Sequence, residues 1–128
     1  MVAQLNHTIV AARDKYESAT FFSEILGLPA PVPFGHFVVI PTGNDVSLDF
    51  ADSDDDEITS QHYAFLISEE EFDEVFARVE ERGITYWPNP WRGNEGQINH
   101  NDGGRGFYFE DPSGHHLEVL TRPYGGGE

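Results

Sequence analysis

Hydrophobic and polar positions alternate with a period of two over Leu5-Asn6-His7-Thr8-Ile9-Val10, which predicts a strand with Leu5, His7 and Ile9 on one face. At Asp14 the period lengthens. Tyr16, Ala19, Phe22 and Leu26 recur at helical spacing, Asp14 is placed to cap that helix, and Gly27 closes it. Pro29, Pro31 and Pro33 make the exit irregular, and Phe37 to Ile40, the turn Pro41-Thr42-Gly43-Asn44 and Val46 to Phe50 predict a hairpin. Then the pattern starts again. Gln61 to Ile67 is a strand with His62, Ala64 and Leu66 on one face. Ser68 and Glu71 form a capping box, and Phe72, Val75, Phe76 and Val79 follow the i, i+3, i+4, i+7 rule up to Gly83. A strand over Ile84 to Trp87 and a long polar loop lead into a final hairpin. Its arms are Phe107-Tyr108-Phe109 and His115 to Leu120, joined by Asp111-Pro112-Ser113-Gly114.

The two halves share a register. His62 follows His7 by 55 positions, Ser68 follows Asp14 by 54, and Gly83 follows Gly27 by 56. Leu48-Asp49-Phe50 corresponds to Leu117-Glu118-Val119 at an offset of 69, because the second copy carries the longer loop. This is an internal duplication of strand, helix and hairpin, and it predicts an α+β fold. Half of such a chain cannot bury its sheet alone. The expected organisation is therefore one domain over 1–128: a first module at 1–51, an acidic linker at 52–60, a second module at 61–124 and a tail at 125–128.

Composition narrows the function classes. Seven basic residues against 23 acidic ones give a net charge of -16, which cannot neutralise a phosphate backbone and argues against nucleic acid and anionic membrane surfaces. No apolar run approaches the ~20 residues of a membrane helix, and the first residues lead directly into a strand rather than a signal peptide. The absence of cysteine excludes disulfides, thiolate ligands and a cysteine nucleophile, and fits a cytoplasmic protein. Asp52, Asp54, Asp55, Asp56 and Glu57 lack the ligand order and central glycine of a calcium loop and read as a solvated linker.

Chemistry concentrates on the strands. His116, Glu118 and Leu120 share one face of the last strand, so a carboxylate points from a strand otherwise built for burial, a costly arrangement unless it is paired or binds metal. His7 and His62 occupy equivalent places in the repeat, as do Asp49 and Glu118. Two imidazoles and one or two carboxylates form a ligand set for one divalent ion, with positions left for water or substrate. Zinc, nickel, manganese and ferrous iron all accept it. Asp49 stands either as a fourth ligand or as a hydrogen-bonding partner of one. His116 is assigned to the pocket lining and His115, beside the turn, to structure. The stretch from Trp87 to Arg105 reads as a lid or pocket wall, with Trp87, Trp91, Arg92 and Arg105 available to a substrate.

The paired modules, His7, His62 in His-Tyr-Ala-Phe, and Gly-Phe-Tyr-Phe-Glu-Asp-Pro-Ser-Gly-His-His-Leu-Glu resemble the vicinal oxygen chelate superfamily over essentially the whole chain. That group includes glyoxalase I, extradiol dioxygenases, fosfomycin resistance thiol transferases and bleomycin resistance proteins. The resemblance implies paired βαβββ modules whose curved sheets form a half-barrel around one cavity. It also implies a metal held by His7, His62 and Glu118, and a homodimer. Pro88 stands where the fosfomycin enzymes carry lysine, leaving phosphonate contacts without a counterpart. The implied function is a metal-dependent lyase or isomerase that chelates adjacent oxygens of a small substrate, with Glu118 or Asp49 as base. The alternative is a drug-sequestering protein without turnover.

Overall fold

A computed structural model describes residues 2–125; Met1 and the tail residues 126–128 lie outside the described residues. The chain divides into two compact units, Met1–Thr59 and Ser60–Glu128.

In the first unit, β1 (His7–Ala12) is followed by α1 (Lys15–Leu26), β2 (Val32–Phe34), β3 (Phe37–Pro41) and β4 (Ser47–Asp52). The sheet order is β1-β4-β3-β2, with β1 parallel to β4 and the other pairs antiparallel. Asp14 caps α1 by accepting the backbone N–H groups of Tyr16 and Glu17, and Gly27 ends it at φ 71°, a left-handed conformation that glycine adopts without steric cost. The helix buries Ala19, Phe22 and Ile25 against Val10, Val38, Ile40 and Phe50, with the Phe22 and Phe50 rings meeting edge to face at 4.9 Å. The buried stripe therefore runs through Ile25. Tyr16 is 51% exposed, and Leu26 lies to one side of the stripe.

Two differences from the expected strands have physical causes. β2 forms between Pro31 and Phe34, where three prolines predict irregular chain. It is the edge strand, paired on one side only, and an edge tolerates the missing N–H of Pro33. Ile84 to Trp87, expected as a strand, contributes a single bridge, Trp87 to Tyr108.

The second unit repeats the plan with β5 (His62–Leu66), α2 (Glu69–Glu81), β6 (Gly106–Glu110) and β7 (His116–Leu120). Its sheet order is β5-β7-β6, again with a parallel pair, β5 and β7. The Trp87 bridge stands beside β6, where the fourth strand of the first unit would fall. Ser68 and Glu71 form the reciprocal capping box. Phe72, Val75 and Val79 of α2 are buried, and Phe72, Phe76 and Tyr86 pack on Phe107 at centroid distances of 5.4, 5.6 and 5.5 Å. In each unit one sheet face is filled by the helix. The opposite face carries His7 and Asp49 in the first unit and His62, His116 and Glu118 in the second.

Candidate functional site

Strand register assembles the second unit's open face in rows. His62, His116 and Glu110 are neighbours across β5, β7 and β6; two residues along, Ala64, Glu118 and Tyr108 form the next row, which the bridge extends to Trp87. Gly106 keeps β6 close to β7, since a Cβ there would meet the Val119 carbonyl oxygen at 2.9 Å. The turn before β7 is held by Asp111, whose Oδ1 accepts the N–H groups of Ser113 and His115. His115 is fully buried on the helix side. Its Nδ1 accepts the Gln61 N–H at 3.0 Å and fixes the start of β5, as the structural assignment expects.

Glu118 lies at the centre of the open face and is 1% exposed. Its Oε1 is 3.1 Å from His62 Nε2, and its Oε2 accepts a hydrogen bond from the Tyr124 hydroxyl at 2.5 Å. The other nitrogen of His62, Nδ1, is 3.1 Å from the His116 carbonyl oxygen. A carbonyl can only accept, so Nδ1 carries that proton. Nε2 then faces Glu118 Oε1, and either a proton or a metal cation between the two atoms would satisfy both. Two donors bound at ~2.1 Å to one ion stand roughly 3.0–3.4 Å apart, and the observed separation lies in that span. An Nδ1–H bond to a backbone carbonyl is also how metal-ligating histidines are commonly oriented. The pair fits a divalent ion. Among the described residues no third His, Asp or Glu joins it in a cluster of three.

Aromatic and charged groups border the pair. The Tyr108 ring stacks on His62 with centroids 5.8 Å apart and planes at 21°, and its hydroxyl is 3.0 Å from that of Tyr124. Burial, followed by the hydrogen bond to Glu118, pushes the Tyr124 hydroxyl far above the ordinary phenol value. Burial is also the main cause of the rise at Tyr108, which its bond to Tyr124 partly offsets. Trp87 tilts toward His116 at 6.5 Å and carries the Arg92 guanidinium 5.7 Å from its own ring. Arg92 Nε donates to Glu110 Oε2 at 2.9 Å, and His116 Nε2 is 3.7 Å from the same oxygen. Burial, reinforced by the positive charge of Arg92, lowers the His116 pKa below its ordinary value, with Glu110 opposing.

Of the residues singled out from sequence, His62, His116, Glu118, Trp87 and Arg92 come together on this face. His7 and Asp49 occupy the open face of the first unit. There His7 Nδ1 is 2.8 Å from Asn6 Oδ1, and Ser47 Oγ donates to Asp49 Oδ1 at 3.1 Å. Arg105 goes elsewhere. It precedes Gly106 and so projects to the helix side, where it bonds Glu69 and Asp73 and sits 4.2 Å over the Phe72 ring. These partners turn it away from the Glu118 face, against the pocket role expected of it. Trp91 is 77% exposed. The loop around it is laced rather than open. Asn89 bonds Gly93 through both its amide nitrogen and oxygen, Gly96 N–H donates to the Tyr86 carbonyl, and Asn99 Nδ2 donates to the Pro88 carbonyl. Tyr108, Tyr124 and Glu110 complete the surroundings. Register alone points to Tyr108 and Glu110, whereas no periodicity leads to Tyr124, which lies beyond the last strand.

Among the described residues no helix is long and apolar enough to cross a membrane. The solved structure of Oxidase ChaP-H2 is 58% identical to this chain, covers 100% of both chains and superposes with a TM-score of 0.95. Oxidase ChaP-H1 is 55% identical, covering 98% of this chain and 100% of its own, also at 0.95. Glutathione transferase FosA of Serratia marcescens is 31% identical over 126 residues, covering 93% of this chain and 81% of the transferase. The fold is shared more widely, as in the Fosfomycin Resistance Protein FosX from Mesorhizobium loti at 22% identity and a TM-score of 0.69, with 96% and 95% covered. A family model matches residues 4–119, and by that match the chain belongs to the Glyoxalase/Bleomycin resistance protein/Dioxygenase superfamily.

Proposed function

We propose that this protein is a metal-dependent oxidase acting on a small molecule with two adjacent oxygens. The observation carrying the oxidase reading is the full-length identity of 58% to a protein named an oxidase. The family match alone leaves a lyase or isomerase equally open. Thiol transfer, the activity named for FosA, is supported by a more distant identity, and Pro88 after Trp87 supplies no cation for a phosphonate.

The proposed ligands are His62 and Glu118, with His7, the repeat counterpart of His62, as the third. When bound, the divalent ion supplies Lewis acidity toward the adjacent substrate oxygens and lowers the cost of their deprotonation. The chain's own residues do the rest. The His116 carbonyl orients the His62 ring. Tyr124 holds one oxygen of Glu118. Trp87 offers a flat apolar wall to an aromatic or planar substrate, and His116 a polar edge beside it. With both oxygens of Glu118 engaged, Asp49 is the carboxylate assigned to proton removal, and Glu118 is confined to ligation. The oxidant is dioxygen: two electrons and two protons leaving the substrate reduce one O2 to hydrogen peroxide. A homodimer and a cytoplasmic setting belong to the same reading.

Oxygen uptake tests it. Parent protein loaded with Fe2+ or Mn2+ and given an ortho-dihydroxyarene should consume O2 and release peroxide, and His62→Ala should do neither. Turnover of the hemithioacetal of glutathione and methylglyoxal without O2 uptake would favour the lyase or isomerase instead. Ligand binding that survives metal removal, with no turnover of either probe, would favour drug sequestration.

A further inference from the structure

We propose that Tyr124 is a positioning residue for Glu118, holding Oε2 so that the carboxylate offers Oε1 alone toward His62 Nε2. The proposal deepens the metal-site reading and rests on it. The chain leaves β7 at Leu120 and turns through Thr121, Arg122 and Pro123, which brings Tyr124 back over the strand it has just left. Tyr124 is 59% exposed as a residue, while its hydroxyl reaches a carboxylate that is 1% exposed. An aromatic residue that exposed gains little from burial. The contact that fixes it is therefore the polar one, at 2.5 Å.

The proton directions make the device one-way. A phenol has one proton, and that of Tyr124 is directed to Glu118. The 3.0 Å contact between the two hydroxyls is then donated by Tyr108 and accepted by Tyr124. Tyr108 itself stacks on His62 and is the cross-strand partner of Glu118. One phenol pair thus braces the two proposed ligands of this unit, Tyr108 through the His62 imidazole face and Tyr124 through the Glu118 carboxylate. A carboxylate with both oxygens free can bind an ion through one or two of them. With Oε2 occupied by an O–H donor, the one-oxygen mode is favoured and a coordination position is kept for substrate.

The test uses Co2+, whose visible bands report coordination number, on full-length protein. Tyr124→Phe removes one oxygen atom and keeps the ring. Its Co2+ affinity should fall by about tenfold or more, the range for losing a hydrogen bond to a ligand being roughly 10–100-fold. Its visible bands should weaken as the freed oxygen joins the ion, and the metal-free melting temperature should match the parent. Tyr108→Phe should give a smaller loss of affinity in the same direction, and it carries the test should Tyr124→Phe not fold. Parent-like affinity and bands in the variant would overturn the positioning role, as would a lowered metal-free melting temperature with unchanged affinity. Failure of the underlying reading looks different: the parent takes up no Co2+, or His62→Ala takes it up as tightly as the parent.

Discussion

The two units are copies of one plan that differ in where they place polar chemistry. Both join a parallel outer pair to an antiparallel neighbour, and both fill one sheet face with a capped amphipathic helix. On the other face they diverge. Asp49 accepts a hydrogen bond from Ser47, two residues before it on the same strand. Glu118, its counterpart, is buried and engaged from two sides by groups on β5 and on the chain after β7. The fourth strand of the first unit is replaced in the second by one bridge and a laced loop that supplies Trp87 and Arg92. Duplication therefore repeats the hydrophobic requirement of the fold. The side chains on the face that the helix does not cover are free to differ.

The largest expected effect breaks the symmetry of the carboxylates. Glu118→Gln should lose stoichiometric metal uptake, whereas Asp49→Asn should retain most of it. Equal losses, measured by titration with a chromophoric chelator, would promote Asp49 to full ligand. The next sharpens the likeness of the cores. Phe22→Ala and Phe107→Ala each remove a fully buried ring and should each cost about 3–5 kcal/mol in urea unfolding. A cost confined to one of them would mean that the two cores do not contribute alike.

The framework of this comparison is legible in the sequence because it rests on periodicity and capping, both of which are local. Asp14, Gly27, Ser68 with Glu71, and the strand faces of His7, His62 and Glu118 could be read from spacing. β2 could not, since Pro31 and Pro33 mask a strand that only its edge position makes tolerable. Arg105 was legible but misassigned. The two-residue period carried back from Phe107 and Phe109 puts it on the helix side, where Glu69 and Asp73 hold it. Tyr124 gave no signal, because it reaches Glu118 through a turn beyond the last periodic residue.

Smaller effects test the same division of faces. Arg105→Ala should lower the melting temperature by losing its seat on Phe72 while leaving metal uptake as in the parent. Reduced uptake would return Arg105 to the open face. The smallest is a pH effect. Burial lowers the His116 pKa in the folded state, so as pH falls below about 6.5 the unfolded chain binds the proton first and stability declines. His116→Asn should flatten that part of the stability curve. An unchanged acid limb would assign the decline to other groups.

Elemental analysis of purified parent and His62→Ala proteins tests the central claim most directly. About one divalent ion per site is expected in the parent and none above background in the variant, with both proteins folded by circular dichroism. Equal metal in the two would remove His62 from the ligand set and with it the metal-centred reading of the Glu118 face.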